Sequence, residues 1–400
     1  MNILQIGTTD KIGGAASISW SLKKRLEKMR YKMPMFVADK KSNEEDVFEI
    51  PRKVHKYVQI LLSNDIDYSK TDWIINTKEF KEADIVHLHN LHGWFFNLKT
   101  LEKISKLKPV VWTLHDMWAI TPHCAHSFDC ELKKGFYQCP SLNSYPRIAW
   151  HNEKYLTRRK RNIYKNSNIE IVVPSLWLKK EVESSVLGDK NIRLIYNGVD
   201  INIFKKSDKI ESRKELNIPL DKKVILFISD GGKNNPYKGW EYVEKIIKKF
   251  KERDDMYFIC IGGDNNLLYK QDSNVHYVPK ISDPAILAKY YSSADFFLYP
   301  SLADSFGLVV AESMSCGTPV LTFETGGILE IVEHKINGYI AKYRDTEDLI
   351  IGLEYLLNLS EFEYNIMSDN SIKRIKDNFT EEKMIEKYVE LYNSLRIKDK

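Results

Sequence analysis

The sequence predicts an α/β protein built from two doubly wound parallel sheets with crossover helices. Three observations predict it. The chain has 400 residues, more than one ordinary hydrophobic core holds. Short apolar runs alternate with longer amphipathic stretches, the texture of strand–helix–strand units. The pattern restarts once, after the turn signal Tyr196-Asn197-Gly198.

Residues 1–6 (MNILQI) form a buried-strand pattern, and residues 17–29 follow with helical periodicity. Residues 84–88 (DIVHL), 110–114 (VVWTL) and 170–173 (EIVV) read as further strands. After a polar, irregular stretch from 199, strands are expected at 224–229, 256–262, 275–279, 296–301 and 319–323, with helices between them. A helix is expected over about 305–316, another over ILEIVEH after Gly326-Gly327, and a capped amphipathic helix over 380–396. In doubly wound sheets ligands bind beyond the carboxyl ends of the strands, so two such domains would face each other across a cleft.

Composition narrows the class. The chain is 43% hydrophobic and 29% charged, as globular domains are. It has no apolar run long enough to cross a bilayer, and MNILQIGTTD reads as strand and loop rather than as a signal peptide. Five cysteines without a disulfide-like spacing fit a reducing cytoplasm. Net charge is +5, with 32 Lys+Arg against 23 Asp+Glu in residues 1–200 and 28 against 32 in residues 201–400. The basic first half suits an anionic membrane surface or a phosphate-bearing substrate, or is ordinary scatter.

Five loops after strands carry the chemistry. Gly13-Gly14 opens the first helix and would let a phosphate or sugar approach backbone amides, or is simply a tight turn. SDGGKNNPYKGW (229–240) joins glycines, Lys233, Lys238 and a helix start into an anion cradle; it lacks the ending of a P-loop. SLADSFGLVVAESMSCGTPV (301–320) places Asp304 at a helix mouth and Glu312 eight residues on, roughly 12 Å if all were helical. Between them Phe306, Gly307, Leu308 and Val309 would offer free amides to a diphosphate, with Asp304 on a sugar and Glu312 on a ribose. Asp304 as a mere N-cap and Glu312 as a surface acid is the plainer alternative. Thr325-Gly326-Gly327 is a further glycine-lined turn. VVWTLHDMW (110–118) sets His115 where it could donate to a sugar oxygen, or serve as a structural histidine. His87 and His89 alternate onto one face of their strand, which needs no metal.

These features in this order resemble the GT-B glycosyltransferases, specifically the retaining glycosyl transferases group 1 (family four). Residues 299–340 carry most of the resemblance, with VPSLWL, YNGVDINIF, Lys238-Gly239 and TLHD in support. The resemblance implies an N-terminal acceptor domain over 1–196, a nucleotide-sugar domain over 197–380 and a helix over 381–400 that returns to the first domain. It implies that Gly13 and Gly14 line the phosphate end of the donor, that His115 contacts the transferred sugar, and that Lys238 binds the diphosphate. Asp304 takes the place of the family's first glutamate and Glu312 that of the second, while Phe306, Gly307 and Leu308 give the backbone loop. Lys233 stands where the family usually has arginine, keeping the charge without the bidentate fork. His115, Asp304 and Lys238 are thus the expected catalytic residues.

Asp at 304 and the cysteine-bearing stretch 121–140 resemble an exopolysaccharide-type subgroup. Cys124, Cys130 and Cys139 with His123 and His126 could bind zinc, but the spacing is loose and Phe136 falls where another cysteine would. An acceptor-side loop with buried thiols, and no metal, is the expectation. His89, His92, Trp118 and His123 are the acceptor-side candidates. Asp65-Ile66-Asp67 reads as a loop rather than a metal motif.

The resulting expectation is a retaining, metal-independent transfer of a sugar from a UDP- or GDP-linked donor, with no cofactor and no nucleic acid. The acceptor would be a glycan or a lipid-linked oligosaccharide of bacterial surface polysaccharide synthesis, handled in the cytoplasm or at the inner face of the membrane. The basic run in YLTRRKRNIYK (155–165) could rest on anionic lipid, or be a solvated helix face. The alternatives are a sugar-nucleotide epimerase, which would turn over donor without acceptor, and a non-catalytic scaffold, whose role would survive loss of the acids and Lys238. A phosphorylase would need a pyridoxal-phosphate lysine, which no local sequence marks.

Overall fold

The computed structural model describes residues 1–127, 130–133, 136–229, 231–263 and 274–398. The chain divides into two compact units, Met1–Tyr196 with Met384–Lys400, and Asn197–Lys383.

In the first unit, strands β1 (Ile3–Thr9), β2 (Met35–Asp39), β3 (Val47–Glu49), β4 (Ile85–Leu88) and β5 (Val110–Thr113) are followed by a hairpin, β6 (Glu131–Lys133) and β7 (Phe136–Gln138). Strands β8 (Glu170–Val173) and β9 (Asn191–Leu194) complete the unit. All but the hairpin join one parallel sheet ordered β3-β2-β1-β4-β5-β8-β9. Every residue of β4 and β5 is buried, because helices cover both faces of a parallel sheet. The order reverses between β1 and β4, so the loops after those two strands flank the crevice such sheets use for ligands. The last helix, Glu381–Lys398, lays Tyr388 and Tyr392 on this unit. Their hydroxyls meet Thr113 at 2.9 Å and His87 Nδ1 at 2.8 Å.

The second unit holds β10 (Lys223–Ile228), β11 (Met256–Gly263), β12 (Val275–Pro279), β13 (Phe296–Tyr299), β14 (Val320–Phe323) and β15 (Gly338–Ala341). They form a parallel sheet ordered β12-β11-β10-β13-β14-β15, which reverses between β10 and β13. At the amino ends of these two strands a buried charge cluster locks the sheet. Asp295 accepts from Arg213 at 2.7 Å, from Lys209 at 2.9 Å and from the Val224 amide at 2.7 Å.

Two helices differ from expectation. The one after β13 runs only over Leu308–Ser315, because Asp304 holds the preceding backbone in a loop. The expected ILEIVEH helix is a single 3-10 turn, Gly326–Glu330, whose glycines are pressed against the Asp304 loop.

Burial works to raise the Asp295 carboxyl, but Lys209, Arg213 and the Val224 amide outweigh it and hold it below its ordinary value. That contribution to stability is complete above about pH 4 and fades as the pH falls below it. Asp295→Ala strands the buried Arg213 guanidinium, so a loss of about 3–5 kcal/mol is expected in urea unfolding at pH 7.

Candidate functional site

The two loops at the reversal of the second sheet meet side chain to side chain. Lys238 follows β10, and Asp304 follows β13. The Lys238 ammonium donates to the Tyr299 hydroxyl and to Asp304 Oδ2, the latter at 3.2 Å, and the Tyr299 hydroxyl donates to the same Oδ2 at 2.7 Å. Burial disfavours the ammonium, but the tyrosine oxygen and the carboxylate outweigh it, so Lys238 sits above the ordinary lysine value. The backbones can approach this closely because Gly239, at φ +67°, has no side chain: a Cβ there would stand 1.9 Å from the Pro300 carbonyl oxygen. The Leu302 amide then donates to Tyr237 at 2.8 Å and fastens the two loops.

Asp304 Oδ1 accepts from the amides of Phe306 at 3.2 Å and Gly307 at 2.8 Å. This corrects the expectation that those amides await a ligand: Asp304 already takes them. The first-turn amides of Leu308 and Val309 have no acceptor within the helix. The eight-residue spacing to Glu312 is loop first and helix only from Leu308, so it does not span eight helical rises. Glu312 is not a surface acid. Its Oε2 accepts from the Tyr291 hydroxyl at 3.0 Å, and burial of the carboxyl pushes its pKa up to about 8 against the help of that hydrogen bond.

Lys233 is placed differently from expectation. It lies on the short 3-10 turn Gly232–Asn234, pairs with Glu244 at 2.5 Å and stands over the Trp240 ring at 5.6 Å, so its charge is drawn to the following helix. Asp230 in the same loop lies outside the described residues.

In the first unit Gly13 and Gly14 are exposed, and a Cβ on either would meet nothing within 4 Å. The histidines form a proton-ordered chain. Gln5 Nε2 donates to the Ser19 carbonyl at 3.2 Å, which turns Gln5 Oε1 toward His89 Nε2 at 2.8 Å. His89 must therefore carry its proton on Nε2 and accept at Nδ1 from His115 Nε2, 3.0 Å away. Burial holds His89 well below its ordinary value and His115 at about 4, so both are neutral at pH 7. His115 thus presents Nδ1 as an acceptor. The ring's one donor, Nε2, is thus spent on His89 rather than on a sugar oxygen, against the expectation that His115 donates.

The other first-unit candidates are integrated into the interior. His92 Nε2 pairs with Asp116 at 2.8 Å. Trp118 is 2% exposed, and its indole donates to Asp65 at 2.9 Å. His123 is fully buried, with Nδ1 on the Pro146 carbonyl at 2.8 Å. As placed, Trp118 and His123 have no surface with which to touch an acceptor, a correction to their expected role. Asp65 and Asp67 lie in a loop, as the sequence indicates, and Asp67 is taken by Arg159 at 2.8 Å. The basic run loses a second member: Lys160 is fully buried, donating to the Thr121 carbonyl at 2.9 Å beneath the Trp118 ring. This leaves Arg158 and Arg161 as its exposed cations, a smaller basic face than the sequence suggests. Cys124, Cys130 and Cys139 bring their sulfurs within 4.8 Å of one another; Phe128, Asp129, Lys134 and Gly135 of that stretch lie outside the described residues. Tyr299, Tyr291 and Gln5 escaped the sequence reading, since each lies in what reads as a strand or helix core.

Residues 12–203 match the family described as Glycosyltransferase Family 4, and residues 208–374 match Glycosyl transferases group 1. An uncharacterized glycosyltransferase of Methanocaldococcus jannaschii is 27% identical over 64% of this chain and 66% of its own length. The chain thus spans about two thirds of that relative. A protein of Escherichia coli K12 named as a colanic acid biosynthesis glycosyl transferase, WcaC, is 24% identical over 78% of this chain and 76% of its own. Among solved structures, sucrose-phosphate synthase of Thermosynechococcus elongatus matches with TM-score 0.70 and 18% identity over 99% of both chains. Anabaena HepE, solved with UDP-glucose, matches with TM-score 0.69 and 18% identity over 99% of this chain and 100% of its own. The likeness to these structures is one of fold, that of the GT-B glycosyltransferases.

The raised Glu312 pKa has a thermodynamic signature. A carboxyl that binds its proton more tightly folded than unfolded loses stability as the pH rises from the ordinary glutamate value to about 8. Glu312→Gln removes that dependence. In the absence of nucleotide the variant is expected to be more stable than the parent by roughly 1–3 kcal/mol at pH 9, with the gap closing toward pH 5. Chemical unfolding across that range reads it; a constant gap would show that Glu312 is ionised throughout.

Proposed function

We propose that this chain, a glycosyltransferase by its family 4 and group 1 domains, moves a sugar from a nucleoside-diphosphate sugar to a glycan or lipid-linked acceptor with retention of anomeric configuration. The observation that carries the reading is the Lys238–Tyr299–Asp304 cluster beside a helix mouth at the reversal of the second sheet. Such a place offers a fixed cation and unengaged first-turn amides to a leaving diphosphate.

In this reading the bond from the anomeric carbon to the diphosphate oxygen breaks through an oxocarbenium-like state. Lys238 and the Leu308 and Val309 amides stabilise the charge that gathers on the diphosphate. Glu312 accepts from the ribose hydroxyls, and Asp304 from the sugar. The acceptor hydroxyl attacks the face the diphosphate leaves, and a phosphate oxygen takes its proton. In the first unit, Gly13, Gly14 and His115 keep the donor roles that the resemblance assigns, His115 as an acceptor through Nδ1. UDP is favoured over GDP as the carrier because HepE, of the same fold, has been solved with UDP and with UDP-glucose. A polysaccharide acceptor is favoured by WcaC and by a relative encoded in the cps region of Klebsiella pneumoniae. Those relatives favour neither an epimerase nor a scaffold. We place the enzyme in the cytoplasm or at the inner membrane face; among the described residues no helix is long and apolar enough to cross a membrane.

The test is a melting-temperature panel of UDP, GDP, ADP and their sugars in EDTA. UDP and a UDP-sugar are expected to raise the melting temperature of the parent, and Glu312→Ala is expected to abolish the shift. Lys238→Ala should lower kcat about 100- to 1,000-fold. Nuclear magnetic resonance of the product should show the donor's anomeric configuration. An inverted product would overturn retention, and donor turnover without acceptor would favour the epimerase.

A further inference from the structure

Between the end of β5 at Thr113 and the helix that begins at Glu153, the only regular structure among the described residues is the β6–β7 hairpin, three residues a strand. A segment of this length inside a compact unit needs something besides secondary structure to fix it. Its first part is packed: Met117, Trp118, Ala119 and Ile120 are each 3% exposed or less. Three cysteines lie where the hairpin meets that base.

The hairpin register explains two of them. Glu131 pairs with Gln138 and Lys133 with Phe136, so Cys130 and Cys139 are the next opposed pair, at the open end of the ladder. Cys124 comes to them from the packed base. Its carbonyl accepts from the Thr121 hydroxyl at 2.5 Å, and the neighbouring Ala125 is tied to Tyr145 and Met117 by backbone bonds of 2.7 and 2.8 Å. Cys124 and Cys139 are buried, with their sulfurs 3.4 Å apart, and all three sulfurs lie within 4.8 Å of one another. Three thiolates around a tetrahedral zinc, each at about 2.3 Å, stand about 3.8 Å apart. The spacing here brackets that value, and 3.4 Å is too long for a disulfide, whose sulfurs stand at about 2.05 Å.

The chain beside Cys124 is fixed as well. His123, next to Cys124 in the chain, is fully buried and gives its Nδ1 proton to the Pro146 carbonyl at 2.8 Å. Its Nε2 has no hydrogen-bond partner among the described residues.

We propose that Cys124, Cys130 and Cys139 bind a zinc ion as thiolates and that this ion fastens the β6–β7 hairpin to the packed base of the first unit. Three converging sulfurs select zinc over harder cations such as magnesium or calcium. Binding exchanges three thiol protons for one divalent cation, with no change of oxidation state. The site is structural and takes no part in the sugar transfer proposed above. It departs from the sequence expectation of a metal-free loop of buried thiols.

The experiment is elemental analysis of the full chain, purified without an affinity tag that binds metal, from cells grown with zinc. Near-stoichiometric zinc is expected, retained by Cys260→Ala, whose thiol lies in β11 of the second unit, and lost at least fivefold in Cys130→Ser and Cys139→Ser. Where those variants fail to fold, the parent itself is stripped of metal and titrated with Co2+, and an intense thiolate-to-cobalt band in the near ultraviolet is expected. Zinc retained undiminished by both serine variants overturns the proposal. So does a parent that carries no zinc and shows no such band, or a Cys124–Cys139 disulfide found by mass spectrometry after alkylation.

Discussion

The second unit is arranged around the closeness of three stretches of backbone. The loop Pro300–Phe306 is pinned from one side by Gly239, where a Cβ would stand 1.9 Å from the Pro300 carbonyl oxygen. It is pinned from the other by Gly326, where a Cβ would stand 2.0 Å from the Asp304 carbonyl oxygen, and by Gly327, 2.2 Å from that of Ser305. No side chain fits at any of these points. With the loop clamped, Asp304 can reach forward to the Phe306 and Gly307 amides and backward to Tyr299 and Lys238 at once. The clamp positions the acid, and the acid ends the loop and starts the helix that carries Glu312.

The fold class was legible because strand and helix differ in period. β4, β5, β10, β13 and β14 are predominantly apolar runs bounded by turn signals, as buried parallel strands are. The strands that escaped are β2, β3, β6, β7, β9 and β15: β3, β6 and β7 have three residues each, the edge strand β9 carries Asn and Arg, and β15 opens with glycine. The site was legible as a set of letters but not as a set of contacts. An aspartate at a helix mouth has the same sequence signature whether it caps amides or waits for a ligand. Here it does neither: it takes the loop amides of Phe306 and Gly307 ahead of the helix, and only the Oδ1 distances reveal it. Lys160 sits in a basic run that reads as solvated, yet it is buried under Trp118. The cysteines at 124, 130 and 139 look irregular because their regularity lies in the register of a hairpin too short to be read from its pattern.

Polar order in the first unit is carried by proton direction. The chain from Ser19 through Gln5 and His89 to His115 has one consistent assignment, because the amide of Gln5 fixes which end of each ring donates. Beside it His87 bridges Thr113 and Tyr392, which couples the buried strand ends to the last helix of the chain. Burial holds His87 at about 3 and His115 at about 4, so the network stays neutral through the physiological range and does not reverse direction with pH.

Electrostatics at the proposed donor site follow from the partners its cations already have. Lys238 is paired with Asp304, and Lys233 with Glu244. A diphosphate must therefore compete with a carboxylate for either lysine, so it gains less on binding than it would from bare cations. As the glycosidic bond breaks, the diphosphate acquires further negative charge and competes better. The interaction is then stronger in the transition state than in the bound donor, and only such a difference accelerates the chemical step. The same competition favours release once the product diphosphate is protonated or solvated. An acid held against the half-buried Lys238, which in isolation looks like lost binding energy, is on this reading what directs that energy to the moment of bond cleavage.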